Sequence, residues 1–486
     1  MVKVHEMSIS QLKELLGKRE ITSHEITESL IERINAIDSS INTFLYPTFD
    51  LAIKQADEAD KRIQNGEDTP LLGIPIALKD IICTKGIRTT AGSLILQNFI
   101  PPYNATVVDK LSQAGAVLIG KLNLDEFAMG SSCENSAYQL TFNPWNTNRT
   151  PGGSSGGPAA AVASGECPGA LGTDTGGSIR LPASFCGVVG VKPTYGRVSR
   201  YGLIAFASSF DQIGTFGRNV RDSAAILNVI SGHDTMDSTS SVNPVPDFMT
   251  NLGDSIKGMK IGLPREYFVK EMDSVISKTV KKAADKLSEL GAEILEISLP
   301  HTEYAVAAYY IAATAEASSN LSKFDGIHYG YRTKDTDDII EVYTKSRSEG
   351  FGSEVKLRIM LGTYSLSAGY YDAFYLKSLK VRSLIKKDFI EAFQKVHSII
   401  TPTAPTQPFK IGERINDPLQ MYLADIFTVT ASLSGLPAMS VPCGFTQENL
   451  PIGFQIIAPA FAEDVMLKIA YAYEQSTQHH KRSPSI

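Results

Sequence analysis

Residues 151–182 read PGGSSGGPAAAVASGECPGALGTDTGGSIRLP and contain two serines, Ser154 and Ser178, that each directly follow a pair of glycines. Glycines let the backbone approach a bound group closely and direct successive N–H groups at one point. Such a point favours a negatively charged oxygen. The stretch therefore predicts either an acyl-transfer site with an oxyanion hole or a loop that binds an anion.

Short apolar runs alternate with helical patterns around this stretch, which indicates an α/β fold. Residues 72–78 and 116–121 are typical of buried strands, and residues 106–113 are typical of a helix. Pro158 suits the first turn of a further helix, so the glycine-rich loop is expected to lead into a helix N-terminus. Runs of this kind predict a sheet that is buried on both faces.

The remaining pattern predicts how the chain is organised. The first 65 residues are expected to form an N-terminal helical region packed on the core, with a capping box at 22–25 and a helix over 51–64. Residues 66–486 are expected to form the main domain. Its further predicted strands lie at 259–263, 293–297, 398–400, 439–441 and 452–457, and its further predicted helices at 274–290, 305–321, 388–395 and 462–475.

Composition excludes several classes of protein. The net charge of the 486-residue chain is −6, so any role with nucleic acid should run mainly through a partner. Five cysteines without a CxxC pair favour reduced thiols over disulfides or a metal site. No apolar run is long enough for a membrane span, and the N-terminus lacks the pattern of a targeting peptide. We therefore expect a cytoplasmic protein, with an organelle matrix as the open alternative.

A serine needs a base before it can act as a nucleophile. Histidine is the usual base, but the chain has none between His24 and His233, although a distant histidine could fold next to the serines. A lysine kept neutral by burial is the alternative. Lys79 follows an apolar run and stands at a predicted strand end, where α/β sites usually form. Only a desolvated site could lower its pKa far enough.

Two other interpretations of the glycine-rich motif fail on context. Residues 152–156 match the GxSxG pattern of a nucleophile elbow, which follows a strand. The preceding residues 142–151 read FNPWNTNRTP and cannot form a central strand. A phosphate-binding loop would need GxxxxGK[ST], and that string does not occur.

Three motifs in order resemble the amidase signature family: GIPIALKD at 73–80, GGSSGG at 152–157 and DTGGSIRLP at 174–182. The similarity continues through 190–199, and Pro158 replaces a serine common in the family. The resemblance implies the family fold, a large mixed, twisted β-sheet covered by helices on both faces. It also implies that residues 66–486 are the amidase domain, with the signature core at 66–220.

The resemblance assigns a role to each reactive residue. Ser178 is implied to be the nucleophile, Ser154 to pass its proton on, and Lys79 to be the terminal base and later the acid. The Gly153–Ser154 peptide bond is implied to be cis. Asp174 and Arg180 are expected to support the site rather than to react. The implied oxyanion hole consists of the backbone N–H groups of Thr175, Gly176, Gly177 and Ser178.

Four further stretches, 237–240, 314–320, 358–363 and 416–422, are similar to the glutaminase subunits within this family. The resemblance implies glutamine as substrate, which needs a cation for its α-carboxylate and an anion for its α-ammonium. Arg358 fits the carboxylate, because its guanidinium can bind it through two hydrogen bonds. Asp425 fits the ammonium, and Tyr309 is expected to be a further contact.

Glutaminase subunits of this kind supply ammonia to a tRNA-dependent amidotransferase. The resemblance therefore implies the B and C subunits of such an enzyme as partners, with tRNA held mainly by the B component. It implies no cofactor or metal in this chain, and ATP and Mg used by the partner. A free-standing amidase with the same three residues remains the alternative, and a catalytically inactive scaffold is a third hypothesis. Arg358 and Asp425 separate the first two, since a general amidase has no use for that charge pair.

Overall fold

The computed structural model describes residues 3–268 and 272–486. Eleven strands within them form one mixed sheet, in the order β1-β3-β2-β4-β6-β5-β10-β11-β9-β7-β8. The strands are β1 Phe44–Pro47, β2 Pro75–Lys79, β3 Val117–Leu122, β4 Gly169–Asp174, β5 Val189–Lys192, β6 Gln212–Gly217, β7 Lys260–Pro264, β8 Glu293–Ile297, β9 Ser398–Pro402, β10 Ala438–Phe445 and β11 Pro451–Ile457.

Fifteen α-helices accompany the sheet in the described ranges. They are α1 Ile9–Lys18, α2 Ser23–Ile41, α3 Phe49–Gln64, α4 Thr106–Gln113, α5 Gly156–Ser164, α6 Arg180–Cys186, α7 Val220–Ile230, α8 Ser274–Glu289, α9 Ala305–Asn320, α10 Ile339–Gly350, α11 Ser353–Leu366, α12 Lys377–Phe393, α13 Pro418–Leu423, α14 Val429–Leu433 and α15 Glu463–Gln475. None of these helices combines the length and the apolar character that crossing a bilayer requires.

Strand directions make the sheet mixed. β2 lies parallel to both β3 and β4, and β9, β7 and β8 form a second parallel group. The central pairs between these two groups are antiparallel. Every residue of β2, β4, β6 and β9 is buried, although successive side chains point to opposite faces. Both faces of the sheet are therefore covered, and the predicted α/β architecture is confirmed.

Most predicted elements lie where the pattern put them, with two corrections. The first 65 residues are not wholly helical, because β1 inserts an edge strand that pairs antiparallel with β3. Its sequence FLYP is short and apolar, so it carries little strand pattern of its own. α12 begins at Lys377, not at residue 388. Its first turns are rich in lysine and largely exposed, which hides the apolar periodicity.

The N-terminal helices share the core of the main domain. Ile9 and Leu12 of α1 and Leu30 of α2 belong to the same buried cluster as Ile76 of β2. The helices before residue 65 therefore pack on the sheet. The boundary between the two regions stays a prediction.

One buried ion pair holds together the elements that surround the glycine-rich loops. Arg180 is fully buried and donates to both carboxylate oxygens of Asp174, at 2.8 and 3.0 Å. It also donates to the backbone oxygen of Thr428, to Gln455 Oε1 and to Ser432 Oγ. The guanidinium thus connects the end of β4, the start of α6, α14 and β11. The loop over 175–179 is fixed at both ends by this pair.

We expect the substitution Arg180→Met to lower the free energy of unfolding by about 3–5 kcal/mol, because it leaves the Asp174 carboxylate buried without its cation. The matched control is Arg265→Met, whose side chain is 67% exposed beside Glu266 and should cost less than about 1 kcal/mol. Urea denaturation followed by circular dichroism measures both. Equal losses for the two variants would contradict the structural role of Arg180.

Candidate active site

Lys79 is the last residue of β2, at the carboxyl end of a parallel pair, and its side chain is completely buried. Its Nζ donates to Ser154 Oγ at 2.7 Å, to Ser155 Oγ at 2.9 Å and to Thr173 Oγ1 at 2.8 Å. The sequence placed Lys79 and Ser154 in one site, and the structure brings them into direct contact. Ser155 and Thr173 complete a shell of three hydroxyl groups around the amine.

Burial lowers the pKa of Lys79 to about 7 from its usual value near 10.5. The carboxylates of Asp125 and Asp174 act in the opposite direction, but they do not outweigh the loss of water. The three hydrogen-bond partners of Nζ are all hydroxyl groups. Nζ forms no ion pair with a carboxylate of the described residues. A lysine in this environment can be a neutral amine near neutral pH.

The hydrogen bonds around Ser155 determine how protons can be arranged. Ser155 Oγ donates to the backbone oxygen of Thr173 at 3.1 Å and accepts from the Thr173 N–H at 3.3 Å. Its proton is therefore engaged, and Ser155 accepts from Lys79. The Ser154 hydroxyl has Lys79 as its one hydrogen-bond partner in the described ranges. A neutral Lys79 has a lone pair that can accept the Ser154 proton.

The two serine loops lie side by side. The Ser155 N–H donates to the backbone oxygen of Ser178 at 3.2 Å, and the Gly153–Ser154 peptide bond is cis. Gly152 has a φ of +79°, and a Cβ there would lie 3.0 Å from the backbone of Pro182. Ser178 is 8% exposed, and its hydroxyl makes no hydrogen bond to residues 3–268 or 272–486. The contact between the Ser154 and Ser178 hydroxyls stays a prediction.

The loop that leads to Ser178 presents unused backbone donors. Between the end of β4 and the start of α6, the N–H groups of Thr175, Gly176, Gly177 and Ser178 donate to no acceptor among the described residues. Asp211 Oδ1 accepts from Thr175 Oγ1 at 2.7 Å, and Asp174 Oδ2 accepts from the Ile179 N–H at 3.1 Å. A loop held in this way can offer preorganised donors to an anionic oxygen.

Asp125 supports the loop that contains the cis Gly153–Ser154 peptide bond, here called the cis-serine loop. It is fully buried, and its carboxylate accepts from the N–H groups of Cys133 at 2.9 Å and Asn135 at 3.0 Å. Its own N–H donates to the backbone oxygen of Ser154 at 3.2 Å. A Cβ on Gly153 would lie 2.1 Å from Asp125 Oδ2, so only glycine fits there. Burial raises the pKa of Asp125 to about 6.

Two of the three expected substrate contacts, Tyr309 and Asp425, lie against the loop of residues 175–178. A Cβ on Gly176 would lie 2.6 Å from Cζ of Tyr309, and a Cβ on Gly177 would lie 2.9 Å from Oδ1 of Asp425. Oδ2 of Asp425 accepts from Ser131 Oγ at 2.5 Å. Oδ1 is buried and has no hydrogen-bond partner in the described part of the chain. A buried carboxyl oxygen that accepts no hydrogen bond from the described residues therefore lies beside the loop of the predicted nucleophile.

Arg358 approaches the same region from α11. It is 3% exposed, and its Nε donates to Glu354 Oε1 at 2.8 Å, one turn earlier. The guanidinium carbon lies 5.3 Å from the ring centre of Tyr310 and 5.4 Å from that of Tyr422. Tyr310 in turn packs edge-on against Tyr309, with 5.1 Å between ring centres. This aromatic contact links the cation to the residue that covers Gly176.

Sequence reasoning missed the supporting residues Ser155, Thr173, Asp125, Asp211 and Ser131. Ser155 lies in the GGSSGG motif at 152–157, and its position directly after Ser154 was the available signal. Thr173 lies at the end of β4, one residue before Asp174. The other three have no motif of their own. Their carboxylates and hydroxyl were recognisable only once the chain had brought them to the two loops.

Comparisons with known proteins identify the family of this chain. The family model described as Amidase matches residues 25–467. A relative from Thermodesulfovibrio yellowstonii, the A subunit of glutamyl-tRNA(Gln) amidotransferase, is 56% identical over 485 residues, which cover 100% of both chains.

Two solved structures give the same result. The crystal structure of the A subunit of glutamyl-tRNA(Gln) amidotransferase from Thermotoga maritima is 42% identical, with a TM-score of 0.82, and the match covers 98% of this chain and 96% of that one. A bacterial aryl acylamidase of the amidase signature family is 26% identical, with a TM-score of 0.86 and 98% of each chain covered. The family model matches most of the chain, and the relatives match it over nearly its whole length with the same fold. This chain therefore belongs to the Amidase family.

Proposed function

We propose that this chain is the glutaminase subunit of a tRNA-dependent amidotransferase, which hydrolyses glutamine to supply ammonia for the conversion of Glu-tRNA(Gln) to Gln-tRNA(Gln). The observation that carries the proposal is the buried Oδ1 of Asp425, which has no hydrogen-bond partner among residues 3–268 and 272–486 and lies beside the loop of Ser178. The Arg358 guanidinium is linked to the same loop through the rings of Tyr310 and Tyr309. A cation and a carboxylate in this region match the two charges of a free α-amino acid. The names of the relatives that match over nearly their whole length support the same complex.

The reaction is an acyl transfer to Ser178. Its Oγ attacks the side-chain carboxamide carbon of glutamine, while its proton passes to Ser154 Oγ and the Ser154 proton passes to Lys79 Nζ. The oxyanion of the tetrahedral intermediate accepts hydrogen bonds from the N–H groups of residues 175–178. When the intermediate collapses, the proton returns from Lys79 to the leaving nitrogen and ammonia departs. Water then attacks the acyl-enzyme by the same route and releases glutamate.

The pocket selects glutamine through its α-carbon substituents. Arg358 binds the α-carboxylate, Asp425 binds the α-ammonium through its free Oδ1, and Tyr309 closes the pocket over Gly176. Burial raises the pKa of Asp425 to about 7, with the hydrogen bond from Ser131 acting in the opposite direction. The ammonium of the substrate favours the ionised carboxylate.

In the proposed function, the released ammonia passes to a second active site, which lies in a partner subunit. The B component of the amidotransferase holds the tRNA and uses ATP and Mg to activate the glutamyl group, and the C component completes the complex. The excess of acidic residues in this chain supports a partner as the main tRNA-binding surface. The cytoplasm as location stays part of the proposal.

A free-standing amidase is the second candidate function. Its support is the match in fold to the aryl acylamidase, whose TM-score of 0.86 is as high as that of the amidotransferase structure. Ammonia release from glutamine and from an aryl amide, measured with and without partner subunits, separates the two. Rapid cleavage of the aryl amide with glutamine ignored would favour this candidate.

The substitution Ser178→Ala should reduce ammonia release from glutamine to background, a loss of at least about 10⁴-fold, because no acyl-enzyme can form. The matched control is Ser383→Ala, which replaces an exposed serine of α12 and should retain full activity. Mass spectrometry after rapid quenching should detect a glutamyl adduct on the unmodified chain only. Turnover or an adduct in Ser178→Ala would refute the assignment of the nucleophile.

The kcat for glutamine should rise with pH through about 7 and then level off, because Lys79 accepts a proton only as a neutral amine. Saturating glutamine keeps the titration of Asp425 in the free protein out of the profile. Lys79→Met should abolish activity at every pH, whereas the exposed Lys386→Met should leave the profile unchanged. A kcat that stays constant between about pH 6 and pH 8 would contradict this role for Lys79.

Two glutamine analogues test the charge pair. Asp425→Asn should raise the KM for glutamine by about 10–100-fold, the worth of a charge-assisted hydrogen bond, but hardly change that for 4-carbamoylbutanoate, which lacks the α-ammonium. Arg358→Gln should raise the KM for glutamine by a similar factor but leave the KM for 4-aminobutanamide, which lacks the α-carboxylate, nearly unchanged. Steady-state ammonia release gives all four values. Equal effects on each substrate and its analogue would show that these residues do not read the α-substituents.

A further inference from the structure

Glu126 is a buried carboxylate that the proposed mechanism does not use. It is 1% exposed and directly follows Asp125, whose N–H donates to the backbone of Ser154. Its Oε2 accepts from the Gly352 N–H at 2.8 Å, and its Oε1 accepts from the Ser93 hydroxyl. Gly352 is the N-cap residue of α11, the helix that carries Arg358.

The contact with Gly352 occupies the start of α11 closely. A Cβ on Gly352 would lie 2.4 Å from Glu126 Oε2, so a larger residue at 352 would push the carboxylate away from its present position. In a capping box, a glutamate inside the helix accepts from the N-cap N–H. Here a glutamate from another part of the chain takes that place. Its negative charge also lies at the positive end of the helix dipole.

The backbone around Glu126 is held in an unusual conformation. Phe127 and Ala128 have φ values of +50° and +61°, a region that residues other than glycine seldom adopt. The ring of Phe127 packs on Phe351, the residue before Gly352, with 5.7 Å between ring centres. Such conformations persist where the surroundings determine them, and they cluster at functional sites. The segment therefore contacts the start of α11 through both a hydrogen bond and an aromatic pair.

The position of α11 decides where the Arg358 guanidinium lies. Arg358 is six residues after Gly352, about 9 Å along the helix axis. Its neighbours include Glu354, on the same helix, and the aromatic rings of Phe206, Tyr310 and Tyr422. A displaced first turn would carry Glu354 and Arg358 with it.

We propose that Glu126 is a positioning residue for glutamine binding, which fixes the first turn of α11 and through it the Arg358 guanidinium opposite the α-carboxylate. This inference rests on the proposed function, because it takes Arg358 as the carboxylate ligand. Asp125 and Glu126 then connect two parts of the site. One residue holds the cis-serine loop and the next holds the helix that recognises the substrate.

The test is a split between KM and kcat in the full-length chain with its partner subunits. Burial raises the pKa of Glu126 to about 7, so the assays are run at about pH 8.5, where its carboxylate is ionised. Glu126→Gln should raise the KM for glutamine by about 5–10-fold and change kcat by less than about twofold. The KM for 4-aminobutanamide, which lacks the α-carboxylate, should change by less than about twofold.

Gly352→Ala perturbs the same contact from the other side and should give the same split. Its φ of −71° suits alanine, so the effect comes from the clash with the carboxylate. The double variant should be no worse than the more affected single variant, since both remove one interaction. The matched control is Glu341→Gln, an exposed glutamate of α10 paired with Lys345, which should leave both constants unchanged.

The outcomes separate the two levels of the account. Unchanged KM values in both variants, or equal losses on glutamine and on 4-aminobutanamide, would overturn the role of Glu126. If Glu126→Gln does not fold, Gly352→Ala decides alone. A chain without substitutions that shows no preference for glutamine over 4-aminobutanamide would instead contradict the proposed function.

Discussion

The buried amine of Lys79 is the feature on which the rest of the site depends. Its Nζ is enclosed by three hydroxyl groups, and the sheet excludes water from it. A carboxylate in direct contact would keep the amine charged, and open solvent would do the same. The site supplies hydroxyl partners instead, which satisfy the N–H donors without holding the proton. The proposed role of Lys79 as the base, in place of the usual histidine, requires this arrangement.

Burial of this kind needs a large fold. β2 lies between two parallel neighbours, β3 and β4, and all of its residues are buried. Thr173 comes from β4, while Ser154 and Ser155 come from the loop before α5. Asp125 and Asp211 then fix the two glycine-rich loops from outside, and the Arg180–Asp174 pair holds α6 and α14 against them. Loops that contain so much glycine keep one geometry because these charged groups bind them.

The sequence predicted the contact between Lys79 and Ser154 but not the groups that surround it. Lys79, Ser154 and Ser178 lie in motifs whose residue types and order indicate their chemistry, and the strand pattern correctly put Lys79 at the end of β2. Asp125, Asp211 and Glu126 gave no such signal, because each acts on a loop or helix that is distant in the chain. β1 escaped prediction for a related reason, since a four-residue edge strand takes its structure from β3. Arg358 and Asp425 were expected from the resemblance. That Oδ1 of Asp425 accepts no hydrogen bond within the described residues was visible only in three dimensions.

The protonation state of Lys79 is the most direct test of this account. The chain can be labelled with ¹³C at lysine Cε, and the Lys79 resonance assigned by its absence from Lys79→Met. Its chemical shift is then followed from about pH 5 to pH 11 by NMR. The account predicts a midpoint near 7, as burial dictates. A midpoint close to the ordinary lysine value near 10.5 would mean that the amine is charged when the enzyme works, and would contradict its role as the base.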